Sequence, residues 1–194
     1  MKNKKIQIIA KNVIQDEIYA LKKLKSSIGS AFNQIVKVIL NCKSGKIIIS
    51  GVGKSGNIAG KIAASFTSTG IPAIYLNPVD ASHGDMGIID KNDVLMILSN
   101  SGETHELTDL INFIMKKKLK IISITSSNKS LLSKNSDINL IIPYHLEADK
   151  LQTIPTTSTT MCLALGDALC CSVLSLRKFD KKSFRELHPG GKIG

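Results

Sequence analysis

With 194 residues and 43% hydrophobic content, the chain is long enough to fill one α/β domain and too short for a second one of similar size. Its +11 formal charge comes from scattered lysines, and aromatic residues at 4% leave few side chains to stack on bases, so we read a solvated surface that favours anionic ligands and exclude nucleic acid as a partner. No uninterrupted apolar run reaches the roughly 20 residues of a bilayer helix, and Met1-Lys2-Asn3-Lys4-Lys5 leads into an amphipathic segment without a cleavage site, which argues against a membrane partner and predicts a cytoplasmic protein.

From residue 5 to 42, Ile9, Val13, Ile14, Ile18 and Leu21, then Ile28, Phe32, Ile35, Val36 and Ile39, recur mostly at three- and four-residue spacing. This period predicts two amphipathic helices within residues 1–43 that pack on the rest of the domain. Strand and helix patterns then alternate: strand 46–50, helix 54–69, strand 73–76, strand 93–98, helix 104–118, strand 120–125, a short helical piece near 129–134 and strand 138–142. With no tight hairpin signals between successive strands, the alternation predicts a five-stranded parallel sheet in a three-layer αβα sandwich.

A long helix from 157 to 177 closes the domain, with Met161, Leu165, Ala168, Leu169 and Leu176 along an apolar stripe. It starts after Pro155, where Thr156 to Thr160 supply capping hydroxyls. The tail from Leu187 to Gly194 then stops, and residues 1–194 read as a single domain. Loops 77–90 and 144–153 are unusually polar and suited to display functional residues over a rigid sheet. Cys42, Cys162, Cys170 and Cys171 lack Cys-x-x-Cys spacing and neighbouring ligand histidines, so they read as reduced, buried thiols.

Two turns carry the chemistry. Gly51-Val52-Gly53-Lys54-Ser55-Gly56 follows the apolar run 46–50, and Ser99-Asn100-Ser101-Gly102-Glu103-Thr104 follows 94–98. Both should emerge at the carboxyl edge of the sheet, where bare N–H groups and a helix dipole attract phosphate. The first turn fits G-x-G-x-x-G, but Tyr75-Leu76-Asn77 supplies no acidic residue for a dinucleotide ribose. A nucleotide P-loop fails too, because Ile48 stands where its first glycine is needed. What remains is a permissive turn with the Lys54 cation and the Ser55 hydroxyl, beside a second turn whose Ser99, Ser101 and Thr104 match the oxygens of a phosphate monoester.

The Ser-x-Ser-Gly-x-Thr turn between strand and helix resembles the phosphosugar-binding turn of SIS (sugar isomerase) domains, a flavodoxin-like fold. Within that superfamily, six ordered segments resemble the D-arabinose 5-phosphate isomerase family: the two turns, Ser82-His83-Gly84-Asp85-Met86-Gly87, Pro155-Thr156-Thr157-Ser158-Thr159-Thr160, Gly166-Asp167-Ala168-Leu169 and His188-Pro189-Gly190-Gly191. The resemblance runs from about Gly45 to Gly194 and lacks the CBS domains found in longer members. In the loop Glu147-Ala148-Asp149-Lys150-Leu151, Lys150 replaces an expected proline, and Gln152 an expected glycine.

The resemblance implies interconversion of D-ribulose 5-phosphate and D-arabinose 5-phosphate, supplying the octulosonate sugar of lipopolysaccharide. It also implies a homotetramer with shared active sites. Aldose–ketose isomerisation moves a proton between neighbouring carbons through an enediolate and needs no redox cofactor; a carboxylate of raised pKa suits the base. By the family pattern Lys54, Glu106, Glu147 and His188 are catalytic. Glu106 or Glu147 is the base, Lys54 meets the negative charge on the sugar oxygens, and His188 reaches a partner's site. Gly53, Ser55, His83, Ser99, Asn100, Ser101, Gly102 and Thr104 bind substrate. His83, Glu147 and His188 do not have a spacing that demands metal, and no cofactor is expected. Asp167 reads as structural; His105 and His145 have no assigned role. The alternatives are another SIS isomerase, acting on sedoheptulose 7-phosphate or a hexulose 6-phosphate, and a non-catalytic sugar-phosphate sensor.

Overall fold

A computed structural model describes residues 2–177 and 179–190. Helices α1 (Lys2–Ser27) and α2 (Ser30–Asn41) precede β1 (Ile47–Gly51), α3 (Gly53–Ser68), β2 (Ala73–Leu76), α4 (Pro78–Ser82), β3 (Val94–Leu98) and α5 (Thr108–Lys117). Then come β4 (Lys120–Thr125), α6 (Leu131–Lys134), β5 (Ile138–Ile141), α7 (Thr157–Leu176) and α8 (Lys181–Leu187). The strands form one sheet in the order β2-β1-β3-β4-β5, and every neighbouring pair is parallel. The expected αβα sandwich is therefore the observed fold.

Central strands of a parallel sheet have both faces covered, which is why β1 and β3 are unbroken apolar runs with every residue buried. Their two-residue period still sorts the side chains. Ile47, Ile49, Met96 and Leu98 face α2, α3 and α7, whereas Ile48, Leu95 and Ile97 face α4 and α5. In the register of β1 with β3, Gly51 pairs with Leu98, so both strands end level at one rim.

Helix α7 is, by length and composition, apolar enough to cross a membrane. In the fold, its Met161, Leu165, Leu169 and Val173 are buried in the sandwich. Its closeness to α3 rests on Gly166, where a Cβ would lie 2.4 Å from the Ile62 side chain. Asp167 fills its structural role by pairing with Lys61 of α3. Both partners are about half exposed, so the pair adds little stability.

Several expectations are corrected. Helix α1 is about 39 Å long, but only its second half meets the domain, where Ala20 and Leu24 are buried. Ile9, Ile14 and Ile18 of the predicted packing stripe are exposed. The helix expected from 104 begins at Thr108, after a single 3-10 turn over His105–Leu107. The polar loop 77–90 holds α4, which Pro78 and the Asn77 side chain start, and a 3-10 turn at Asp85–Ile88. Ahead of the tail, a stretch with no predicted element folds into α8, capped by the Asp180 carboxylate, which accepts from Ser183 N–H at 2.8 Å. Gly191 to Gly194, the end of the expected His-Pro-Gly-Gly segment and tail, lie outside the described residues. Cys162 and Cys170 are buried as expected, but Cys42 is half-buried and Cys171 is exposed; Leu176 is exposed at the end of α7.

Candidate active site

The first turn is short: Val52 offers no side-chain cap, and Gly53 opens α3 with φ +57°. The first N–H groups of α3 thus have no intrahelical acceptor and sit at the positive end of a 16-residue helix. Lys54 and Gly53 are exposed there and Ser55 is half-buried.

The second turn is held from within. Ser99 Oγ accepts from Gly102 N–H at 3.0 Å and hydrogen-bonds Thr104 Oγ1 at 2.8 Å. Ser99 is buried, so its hydroxyl shapes the turn. Ser101 is the exposed member, and its Oγ accepts from Glu103 N–H at 3.2 Å. The Asn100 carbonyl ties the turn to β4 by accepting from Ser126 N–H (2.9 Å), Ser126 Oγ (2.7 Å) and Thr125 Oγ1 (3.0 Å). Gly102 has φ +69° and packs against Ser130.

A cavity of about 170 Å³ lies where these turns face α7, and Lys54, Ser55, Asn100, Glu147, Ser158 and Thr159 line it. Asn100 Oδ1 is buried there without a partner among the described residues. A buried acceptor of this kind calls for a donor, which a ligand hydroxyl would supply. Ser158 and Thr159 were legible in the sequence only as capping residues.

Glu147 arrives on the loop between β5 and α7. Its Oε2 accepts from Thr156 N–H (2.8 Å), Thr156 Oγ1 (3.1 Å) and Ser158 N–H (3.2 Å). The expected cap is thus reversed: Glu147, nine residues upstream, caps α7, and Thr156 donates to it with no side-chain cap of its own. Burial alone would push this carboxyl up, but hydrogen bonds from Ser158 and Thr156 outweigh it and hold Glu147 below the ordinary glutamate value. The raised pKa expected of a base is therefore not that of Glu147 in this geometry.

The remaining residues lie elsewhere. Glu106 and His83 line a separate cavity of about 260 Å³ with His105 and Asp109, between α4 and the start of α5. That is the opposite face of the sheet from α3 and α7. His188 ends α8, its ring stacked on Phe184 at 3.9 Å and its Nδ1 hydrogen-bonded to the Phe184 carbonyl at 2.8 Å. The neighbouring Leu187 reaches Gly70, beyond the C-terminal end of α3. About 21 Å of helix therefore separates that end from Lys54. One chain thus unites Lys54, Ser55, Asn100 and Glu147, and leaves Glu106, His83 and His188 apart from them. Among the described residues, no three His, Cys, Asp or Glu side chains converge as metal ligands.

Residues 39–172 match the SIS domain family. An uncharacterized protein of Rickettsia prowazekii is 48% identical over 188 residues, 97% of this chain and 58% of that protein. Arabinose 5-phosphate isomerase KdsD of Francisella tularensis is 45% identical over 180 residues, 92% of this chain and 55% of that enzyme. The chain thus spans little more than half the length of these curated relatives. A solved structure from Escherichia coli CFT073, in complex with arabinose 5-phosphate, superposes with a TM-score of 0.94 at 38% identity, covering 97% of this chain and 100% of that one.

Proposed function

The chain belongs to the SIS domain family, and from that premise we propose that it is an aldose–ketose isomerase interconverting D-ribulose 5-phosphate and D-arabinose 5-phosphate. One observation carries the reading: Lys54 and Ser55 of α3, Asn100 of the second turn and Glu147 of the loop before α7, three separate segments, line a single cavity at the rim where β1 and β3 end. The similarity to an arabinose 5-phosphate isomerase and to a structure holding arabinose 5-phosphate supports it.

In this reading the phosphate sits on the open N-terminus of α3, with Ser55 and the exposed Ser101 donating to its oxygens. The Asn100 amide holds a sugar hydroxyl. Glu147, ionised at neutral pH, takes a proton from C1 of the open-chain ketose, and the C1–C2 pair becomes an enediolate. Lys54 stabilises its oxyanion. A proton passes from O1 to O2 and another returns to C2, leaving an aldehyde at C1; no electrons leave the sugar. All three hydrogen bonds on the Glu147 carboxylate fall on Oε2, which leaves Oε1 to take the proton.

Replacing Lys54 with methionine keeps the apolar stem and removes the cation. We expect kcat/KM to fall about 10²- to 10³-fold with little change in thermal stability, as when an oxyanion donor is removed. Steady-state kinetics and a melting curve check this; unchanged kcat/KM removes Lys54 from the mechanism.

The separation of Glu106, His83 and His188 from this cavity supports a homotetramer whose neighbouring subunits complete each site. The exposed Ile9, Ile14 and Ile18 of α1 supply an apolar face for such contacts. The product would feed the octulosonate sugar of lipopolysaccharide, in the cytoplasm.

Incubating the protein separately with D-ribulose 5-phosphate, sedoheptulose 7-phosphate and a hexulose 6-phosphate tests the substrate. D-Arabinose 5-phosphate from the first is the expected result. Turnover of only one of the others assigns a different SIS isomerase, and tight binding without turnover assigns a sensor.

A further inference from the structure

We propose that Gln152 is the positioning residue for Glu147, holding the main chain of the residue whose carboxylate caps α7. The proposal rests on the reading of Glu147 as the catalytic carboxylate. Gln152 sits in the left-handed region at φ +55°, an uncommon place for a side-chain-bearing residue. Its Oε1 accepts from Glu147 N–H at 2.7 Å, and its Nε2 donates to Glu147 O at 2.7 Å and to Asp149 O at 2.9 Å. One side-chain amide thus grips both polar groups of a single residue's backbone.

The loop does not need this grip to close. Asp149 already gathers it, accepting from Leu151 N–H (2.9 Å), Thr153 N–H (3.0 Å) and Ile154 N–H (2.9 Å). A second link joins its two sides, where Ala148 N–H donates to Thr156 Oγ1 at 2.9 Å. What Gln152 adds falls on Glu147 itself. The carboxylate end of Glu147 is fixed by α7 and its backbone end by Gln152, so the side chain is held at both ends over the cavity. Reacting groups need this restriction, because a displacement of about 1 Å can cost two orders of magnitude in rate.

The test uses Gln152→Gly. Glycine adopts φ +55° freely, so the loop keeps its path while the amide is lost. We expect kcat to fall about tenfold with KM within about threefold of the original value, an intermediate effect for a positioning group. The acid limb of the kcat profile should rise toward that of an unperturbed glutamate, because the hydrogen bonds on Glu147 loosen. A Gln152→Gly enzyme with the original kcat and acid limb overturns the proposal; so does a loss of kcat that only tracks a lower melting temperature, with the acid limb unmoved. Carboxyl carbon NMR of Glu147 gives a readout without turnover: its titration midpoint rises in Gln152→Gly if the clamp holds it, and stays in place if it does not. Glu147→Gln, assayed alongside, separates the two claims. Full activity there refutes the role of Glu147, whereas the NMR titration decides the clamp.

Discussion

Glu147→Gln is expected to lower turnover by about 10²- to 10⁴-fold, the range for loss of a general base, while ligand still raises the melting temperature. Glutamine has the shape of glutamate, and its side-chain oxygen can accept from the Thr156 and Ser158 N–H groups that now bind Oε2. Helix α7 therefore keeps its cap, and the phosphate cradle on α3 is untouched. Only the charge and its ability to take a proton are removed. Kinetics with ligand-dependent melting check this, and unaltered turnover would remove Glu147 from the mechanism. Glu106→Gln is expected to reduce turnover too, but through the cavity it shares with His83.

The same substitution has a pH consequence whose sign is fixed. The folded state holds the Glu147 carboxyl below its ordinary value of 4.5. Its contribution to stability is therefore fully present above that ordinary value and is lost as pH falls through the lowered one. Glu147→Gln should flatten the acid side of the stability curve: the linked contribution is missing at neutral pH, and the two proteins converge once pH falls below the lowered value. Melting temperatures of both proteins from neutral to acidic pH report it.

Gly102→Ala is expected to be the most damaging single methyl in the site. The residue sits at φ +69°, and an added Cβ would lie 2.2 Å from Ser130 Oγ and 2.6 Å from Ser130 Cβ. The left-handed backbone costs about 1–2 kcal/mol for a residue with a Cβ, and overpacking adds about 1–3 kcal/mol. For a domain of this length each kcal/mol lowers Tm by about 2–4 °C, so the fall should be on the order of 5–15 °C. Because Gly102 N–H donates to Ser99 Oγ, relief of the overlap also shifts the phosphate turn, and KM should rise. Ser130→Gly added to Gly102→Ala should recover part of the stability by removing the overlap, leaving the backbone strain. A Gly102→Ala protein with unchanged Tm and KM would contradict this view of the turn.

The sheet was legible because its strands are apolar runs too short for helices, separated by crossover helices, and the two turns stood out by their glycines and hydroxyls. Their common rim followed from the parallel topology. Partnership was less legible. The stripe Ile9, Ile14, Ile18 announces a face that avoids water, but periodicity does not say what covers it. Helices α4 and α8 start with short caps, Asn77 with Pro78 and Asp180 with Ser183, which a search for long periodic segments passes over. Glu147 as the cap of α7 depends on a loop folding back across nine residues, and hydrogen bonds of that kind leave no spacing pattern. Glu106, one turn past the phosphate loop in sequence, lands on the other face because residues 105–107 form a 3-10 turn with Leu107 buried against α5.

A crystal structure with D-arabinose 5-phosphate bound tests the central claim most directly. The account predicts the phosphorus at the N-terminus of α3 within reach of Ser55 and Ser101, and C2 about 3–3.5 Å from the Glu147 carboxylate, the separation for reacting atoms. A sugar phosphate seated instead beside Glu106 and His83, with the cavity between Lys54 and Glu147 left empty, would contradict it.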